Sequence, residues 1–331
     1  MFSRKEFLEL YTKGDLFELG HLAQEAKEKI HGNKYYYTIN RHINYTNICV
    51  LDCKFCGYHK KLKEKGAYTL SIEEILTTLS QEYSLREVHI VGGLNPAFPY
   101  DYYVNLIKEV KKANPGIRIR AFTCVEIDFL SKISKKPVEE VLLELKEAGL
   151  NALPGGGAEV FSERVRKALY PAKISPERWI EITKIAHRLG LQSNATLLFG
   201  HIETEEEIID HLLKLREIQE ETKGFSAFVP LPFLPEHTKL SHLKGPSAQK
   251  ILKTVALSRL ILDNFPHIKA YWVFMGIGLA QVALLFGADH IHGTVIEEKI
   301  SEAMKGEPVT KLPPEEIEHL IREIGGEPVL I

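Results

Sequence analysis

A chain of 331 residues, 44% hydrophobic and 26% charged, has material for one large barrel or two domains and is neither disordered nor fibrous in composition. Its formal charge of −2 excludes a general attraction to nucleic acid or to an anionic membrane. The start has no long apolar run, and Gly276, Gly278, Gln281 and Asp289 interrupt the most apolar region, so neither a signal peptide nor a membrane span is expected. With four cysteines and no secretion signal, the expected compartment is the reducing cytoplasm.

Residues 1–38 read as a helical extension, two short helices broken near Gly14-Asp15. From residue 39 to 331 strands and helices alternate. Strand one spans 38–46 and runs into a cysteine loop. A helix opens at Ser71, with Glu74 as capping-box partner, and runs to about Tyr83. Strand two, 87–91, ends in Gly92-Gly93. A helix at 100–113 leads to strand three at 117–122, and a helix at 137–148 to strand four at 150–153, which runs into Pro154-Gly155-Gly156-Gly157. A helix at 175–189 precedes strand five, 192–199, and a long helix at 204–222 follows it. Strand six is 225–230, with a helix at 247–264. Strand seven is 268–273, with a helix at 278–286. Strand eight is 290–292, and a last helix covers 314–324. Eight strand–helix pairs without a linker predict a (β/α)₈ TIM-type barrel of the α/β class, with an open doubly wound sheet as the alternative. In a barrel the segments after each strand gather at one mouth. The cysteine loop, Gly92-Gly93, Pro154–Gly157 and Gly200–Glu203 would then meet there.

Three of the four cysteines, Cys49, Cys53 and Cys56, stand at C-x₃-C-x₂-C spacing in Asn44–Tyr58. Thiolates are the soft ligands of iron–sulfur clusters and zinc. Three ligands on a four-iron cluster leave one iron open to a chelating small molecule. The competing reading is a structural zinc site closed by His59 or His42, in a barrel that binds without catalysing. Cys124, alone after strand three, reads as a small buried hydrophobe, with Glu126 near it. Asn194 and Thr196 share a parity on strand five and should both point into the barrel.

The triplet after a first barrel strand, with Phe55 before its last cysteine, resembles the radical S-adenosylmethionine superfamily. The resemblance implies a 4Fe-4S cluster on Cys49, Cys53 and Cys56 and S-adenosyl-L-methionine chelated to the open iron, cleaved by one electron to a 5′-deoxyadenosyl radical. It implies cofactor contacts from Tyr58, from Gly92 and Gly93 after strand two, from Glu159 to the ribose, and from Leu198, Gly200 and Glu203 at the end of strand five. Leu94-Asn95 stand where the superfamily usually has an acidic residue. The pairing of Pro154–Glu159 with Ser193–Thr204, and His267–Trp272, is similar to the aminofutalosine synthase family of menaquinone biosynthesis. That implies addition of the radical to 3-((1-carboxyvinyl)oxy)benzoate, giving 6-amino-6-deoxyfutalosine, with flavodoxin or ferredoxin as electron donor. The substrate's two carboxylates call for His201, Arg166 and His59 as catalytic candidates, with Lys269 beside them. His292 departs from the acidic residue expected before Gly293-Thr294-Val295. Sibling families, the dehypoxanthine futalosine cyclase and the deazaflavin-core synthases, share the triplet.

Overall fold

The computed structural model describes residues 2–81 and 84–331. Ten strands are present among them: β1 (Lys34–Tyr37), β2 (Asn40–Ile43), β3 (Glu87–Ile90), β4 (Arg118–Ala121), β5 (Ala152–Leu153), β6 (Gln192–Phe199), β7 (Phe225–Pro232), β8 (Lys269–Ala270), β9 (His290–Ile291) and β10 (Glu327–Leu330). Strands β2 to β7 are hydrogen-bonded in chain order and all pairs are parallel. A parallel bridge from Phe228 to Ile268 carries the sheet on to β8, which pairs with β9. The ring closes where Ile296, just past β9, bridges Arg41 of β2. Thr294 strengthens that seam, its Oγ1 accepting from the Asn40 N–H at 3.0 Å. This is the expected α/β barrel of TIM type.

The local chemistry explains the main elements. The 18-residue helix Glu205–Thr222 starts in a capping box of Thr204 and Glu207. Helix Pro176–Arg188 begins with Ser175 as N-cap and proline in its first turn. Strand β7 continues through Pro230 and Pro232, beyond the expected end. Phe228 donates to the His267 carbonyl at 2.8 Å, on the β8 side. Pro230 and Pro232 share its parity, and β8 does not extend that far, so no ladder bond is missed there.

Other expectations differ from the structure. The extension read as helical over 1–38 contains β1, which pairs with β9 and β10. Strand seven was expected to reach Val273, but Trp272–Met275 is helical. The chain turns there so that Tyr271 and Phe274 cover the barrel lumen. Helices Cys124–Ser134, Glu163–Leu169 and Lys299–Lys305 are additional. The expected helix end at Tyr83 lies outside the described residues. No helix among the described residues is long and apolar enough to cross a membrane.

Candidate active site

The loop between β2 and helix Ile72–Ser80 carries the cysteines, and its backbone bonds fix their placement. The Cys49 N–H donates to the Lys60 carbonyl at 2.9 Å, and the Cys56 N–H to that of Cys53 at 3.1 Å. Lys61 Nζ caps the carbonyls of Cys49 and Leu51 at 3.1 and 2.7 Å. Gly93, after β3, donates to the Thr46 carbonyl at 2.9 Å, and a Cβ there would collide with the Ile48 carbonyl. Glycine is therefore required at 93 for the cysteine loop to lie against β3.

All three cysteines face one cavity of about 200 Å³. Its walls include Tyr58, His59, Gly92, Gly93, Glu126 and Glu159. Burial pushes the Cys53 thiol up to about 12 and raises Cys56, and the Lys173 ammonium opposes both shifts. Lys173 forms a buried ion pair with Glu159. Glu126 accepts from the Gly92 N–H at 3.0 Å, the Tyr45 hydroxyl at 2.8 Å and the Thr123 N–H at 2.7 Å. Burial still raises its carboxyl to about 6.

The sulfurs do not gather as zinc ligands do. Donors to one tetrahedral zinc lie roughly 4 Å apart. Among the described residues, no trio containing these cysteines has its ligand atoms within 4.8 Å of one another. Of the two histidines that the zinc reading offered, His59 has Nδ1 3.0 Å from the Cys56 carbonyl and Nε2 3.0 Å from Asp52, and His42 lines a different cavity from the cysteines. Three spaced thiols around one cavity suit a larger cluster with an open position.

A second cavity of about 180 Å³ lies in the barrel lumen and shares Val91, Thr123 and Ile300 with the first. His42, His89 and His292 line it, with Asn194, Thr196 and Tyr271. Asn194 and Thr196 thus point inward, as their parity predicts. His42 and His89 stack with ring centroids 4.7 Å apart, and His89 Nε2 meets Glu87 at 2.6 Å. Burial lowers all three histidine pKa values, leaving neutral imidazoles.

The structure brings together Tyr58, Gly92, Gly93 and Glu159 with the cysteines and His59. Leu198, Gly200, His201 and Glu203 form an adjoining turn that does not line that cavity; it meets it through the Leu198 N–H, which donates to the Glu159 carbonyl at 2.9 Å. Both His201 ring nitrogens are engaged inside this turn: Nδ1 lies 2.7 Å from the Ile202 nitrogen and 3.0 Å from Glu203 Oε2, and Nε2 faces the Leu198 carbonyl at 3.1 Å. Arg166 is outside both cavities, paired with Glu163 at 2.6 Å and donating to the Pro171 and Lys173 carbonyls at 2.8 and 3.3 Å, so it braces the segment that carries Lys173. Lys269 lies at the other end of the barrel, in a third cavity. Lys173 and His89 were not singled out from sequence; His42 was considered only as a zinc ligand and His292 only as a departure from the expected acidic residue. Lys173 has no motif; His42 and His89 show only as inward parity on β2 and β3.

Glu203 gives a pH prediction. Burial alone would raise its carboxyl, but contacts from His201, Lys250 and the Gly200 N–H hold it down at about 2. The stabilisation is fully present above the unfolded value of 4.5 and is lost as pH falls toward 2. Glu203→Gln is expected to destabilise the protein by about 3 kcal/mol at pH 7. Urea unfolding of both proteins from pH 7 to pH 3 checks this, because the deficit should narrow only below pH 4.5.

Comparison with known proteins agrees with the barrel and its cysteine mouth. Residues 43–215 match the radical SAM superfamily and residues 222–331 match the CofH/MqnC C-terminal region. The chain belongs to the radical SAM superfamily, whose enzymes use a 4Fe-4S cluster and S-adenosyl-L-methionine. It is 42% identical to the aminodeoxyfutalosine synthase of Thermus thermophilus, over 99% of this chain and 90% of that one. It is 39% identical to the enzyme of that name from Streptomyces coelicolor, over 99% of this chain and 88% of that one. The 5-amino-6-(D-ribitylamino)uracil--L-tyrosine 4-hydroxyphenyl transferase of Methanococcus aeolicus is 39% identical, over 98% of this chain and 93% of that one. The solved structure of methylornithine synthase shares the fold, with a TM-score of 0.78 at 21% identity, over 98% of this chain and 93% of that one.

Proposed function

We propose that the chain is an aminofutalosine synthase, which joins the adenosyl group of S-adenosyl-L-methionine to 3-((1-carboxyvinyl)oxy)benzoate. The observation that carries the reading is the identity of 42% along 99% of the chain to an aminodeoxyfutalosine synthase. Cys49, Cys53 and Cys56 would hold the cluster, and Tyr58, Gly92, Gly93 and Glu159 would seat the cofactor around it. Together the cluster and cofactor supply a 5′-deoxyadenosyl radical. The protein's part is to place the substrate in the lumen cavity and keep water out. Val229, Leu231 and Phe274 supply apolar walls for the ring. Neutral imidazoles of His42 and His292, with Asn44 and Asn194, supply donors for its carboxylates, while the single N–H of His89 is held by Glu87. Flavodoxin or ferredoxin would be the electron donor.

The second reading is the tyrosine-using transferase, favoured by its 39% identity. A tyrosine ammonium would need a free carboxylate in the lumen. Glu298, the acidic residue lining that cavity, already accepts from the Ser301 N–H at 2.7 Å. The donor-rich lumen suits a dicarboxylate better.

Isotope tracing separates the two readings. Reduced enzyme given ribose-labelled S-adenosyl-L-methionine and the enol ether is expected to place the label in an adduct that also contains the benzoate ring. One methionine should form per adduct. Label found only in free 5′-deoxyadenosine, with the benzoate untouched, would overturn the proposal. Turnover of tyrosine and the diaminouracil instead would establish the second reading.

A further inference from the structure

We propose that the end of the barrel opposite the cysteine loop is a binding site for a small oxyanion, a phosphate or a carboxylate, held by Lys269, Arg120, His290 and Asn194. These residues face a cavity of about 430 Å³ at the N-terminal ends of the strands. The cavity contains none of the cysteines and none of the residues around them. Of its lining residues the radical reading uses only Asn194, which borders the lumen as well.

Its polar groups are unbalanced. Arg86, Arg118, Arg120 and Lys269 bring positive charge, against the Glu87 side chain and the terminal carboxylate of Ile331. Glu87 is already engaged, by Arg120 at 3.3 Å and by His89 at 2.6 Å. Lys269 is only 5% exposed, yet its ammonium has no hydrogen-bond or ion-pair partner among the described residues. His290 is 1% exposed, and neither ring nitrogen has a hydrogen-bond partner among the described residues. The Asn194 Oδ1 accepts from the Ser226 hydroxyl at 3.0 Å, while its amide nitrogen has no hydrogen-bond partner among the described residues.

Buried donors without acceptors are costly, which applies above all to the His290 ring. Burial lowers Lys269 to about 8, opposed by the Glu87 carboxylate and reinforced by the Arg120 and Arg118 guanidiniums. Water in the cavity supplies acceptors but no charge. An oxyanion supplies both, and charge-assisted bonds to ammonium and guanidinium are the strong ones. A cation is excluded by the same groups.

Isothermal titration of inorganic phosphate and of malonate into the reconstituted protein tests this, with sodium chloride of equal ionic strength as control. Saturable one-to-one binding of at least one oxyanion is expected, weakened at least tenfold by Lys269→Gln. Lys269→Arg should retain it within a few fold, because the charge remains. Phosphate binding more tightly than malonate would mark a phosphate ligand, and the reverse a carboxylate. The melting temperature of the unsubstituted protein should also rise with the bound oxyanion and not with chloride, a readout that needs no variant to fold. Heats equal to chloride with no rise in melting temperature would overturn the proposal. So would affinity unchanged in Lys269→Gln. Because neither readout involves cofactor cleavage, the result stands apart from the proposed reaction.

Discussion

Cys49→Ala, Cys53→Ala and Cys56→Ala are each expected to leave the protein without a stable cluster and to abolish cleavage of S-adenosyl-L-methionine. Cys124→Ala should keep full iron and sulfide. The four thiols differ in what surrounds them. The first three face one cavity beside Gly92, Gly93 and Glu159. Cys124 sits in the first turn of its helix, 1% exposed, with its sulfur 3.4 Å from the Thr183 hydroxyl and burial pushing the thiol up to about 12. Cys53 is raised as far, so what separates Cys124 is position: its sulfur is held against a neighbouring helix and does not line the cavity that the other three share. Iron and sulfide analysis after anaerobic reconstitution, with electron paramagnetic resonance of the reduced protein, reads the result. Loss of iron in Cys124→Ala as severe as in the triplet variants would refute the three-ligand assignment. Zinc without sulfide in the unsubstituted protein would favour the structural-metal alternative.

The cysteine mouth was legible because it rests on local signals that tertiary packing does not override. Strand ends marked by Gly92-Gly93 and Pro154–Gly157 place loops on one face of any parallel barrel. The end of β8 was not legible. Tyr271-Trp272-Val273 has strong strand propensity, yet the chain bends there to cover the lumen, with the Trp272 indole donating to the Gly293 carbonyl at 2.8 Å. Helix Cys124–Ser134 was legible and passed over: Thr123-Cys124-Val125-Glu126 is a capping box, formed in the structure. Strand β1 could not be read locally, since β9 and β10, its partners, lie more than 250 residues away. His201 and Arg166 show the limit of motif position. Each stands beside residues of the mouth, but Ile202, Glu203 and the Leu198 carbonyl take the ring nitrogens of His201, and Glu163 takes the guanidinium of Arg166. Only side-chain geometry separates a residue near a site from one facing it.

Lys173→Met is expected to be the most damaging single change outside the cysteines. Its ammonium is 10% exposed, pairs with Glu159 and lies 5.2 Å from the centre of the Phe55 ring. Removing it strands a buried carboxylate, which costs about 3–5 kcal/mol of stability. It also removes the cation that opposes the burial-driven rise of the Cys53 thiol. Metal binding requires the thiolate, so cluster uptake should slow as well. The two effects come apart in the double variant Lys173→Met/Glu159→Gln. No charge is stranded there, so most of the stability should return, whereas cluster uptake should remain slow because the cation is still missing. Urea unfolding reads the first effect and the rate of iron–sulfide incorporation the second. Equal stability of the single and double variants would show that the pair is not coupled. Cluster uptake at the unsubstituted rate in both would show that Lys173 does not act on the thiols.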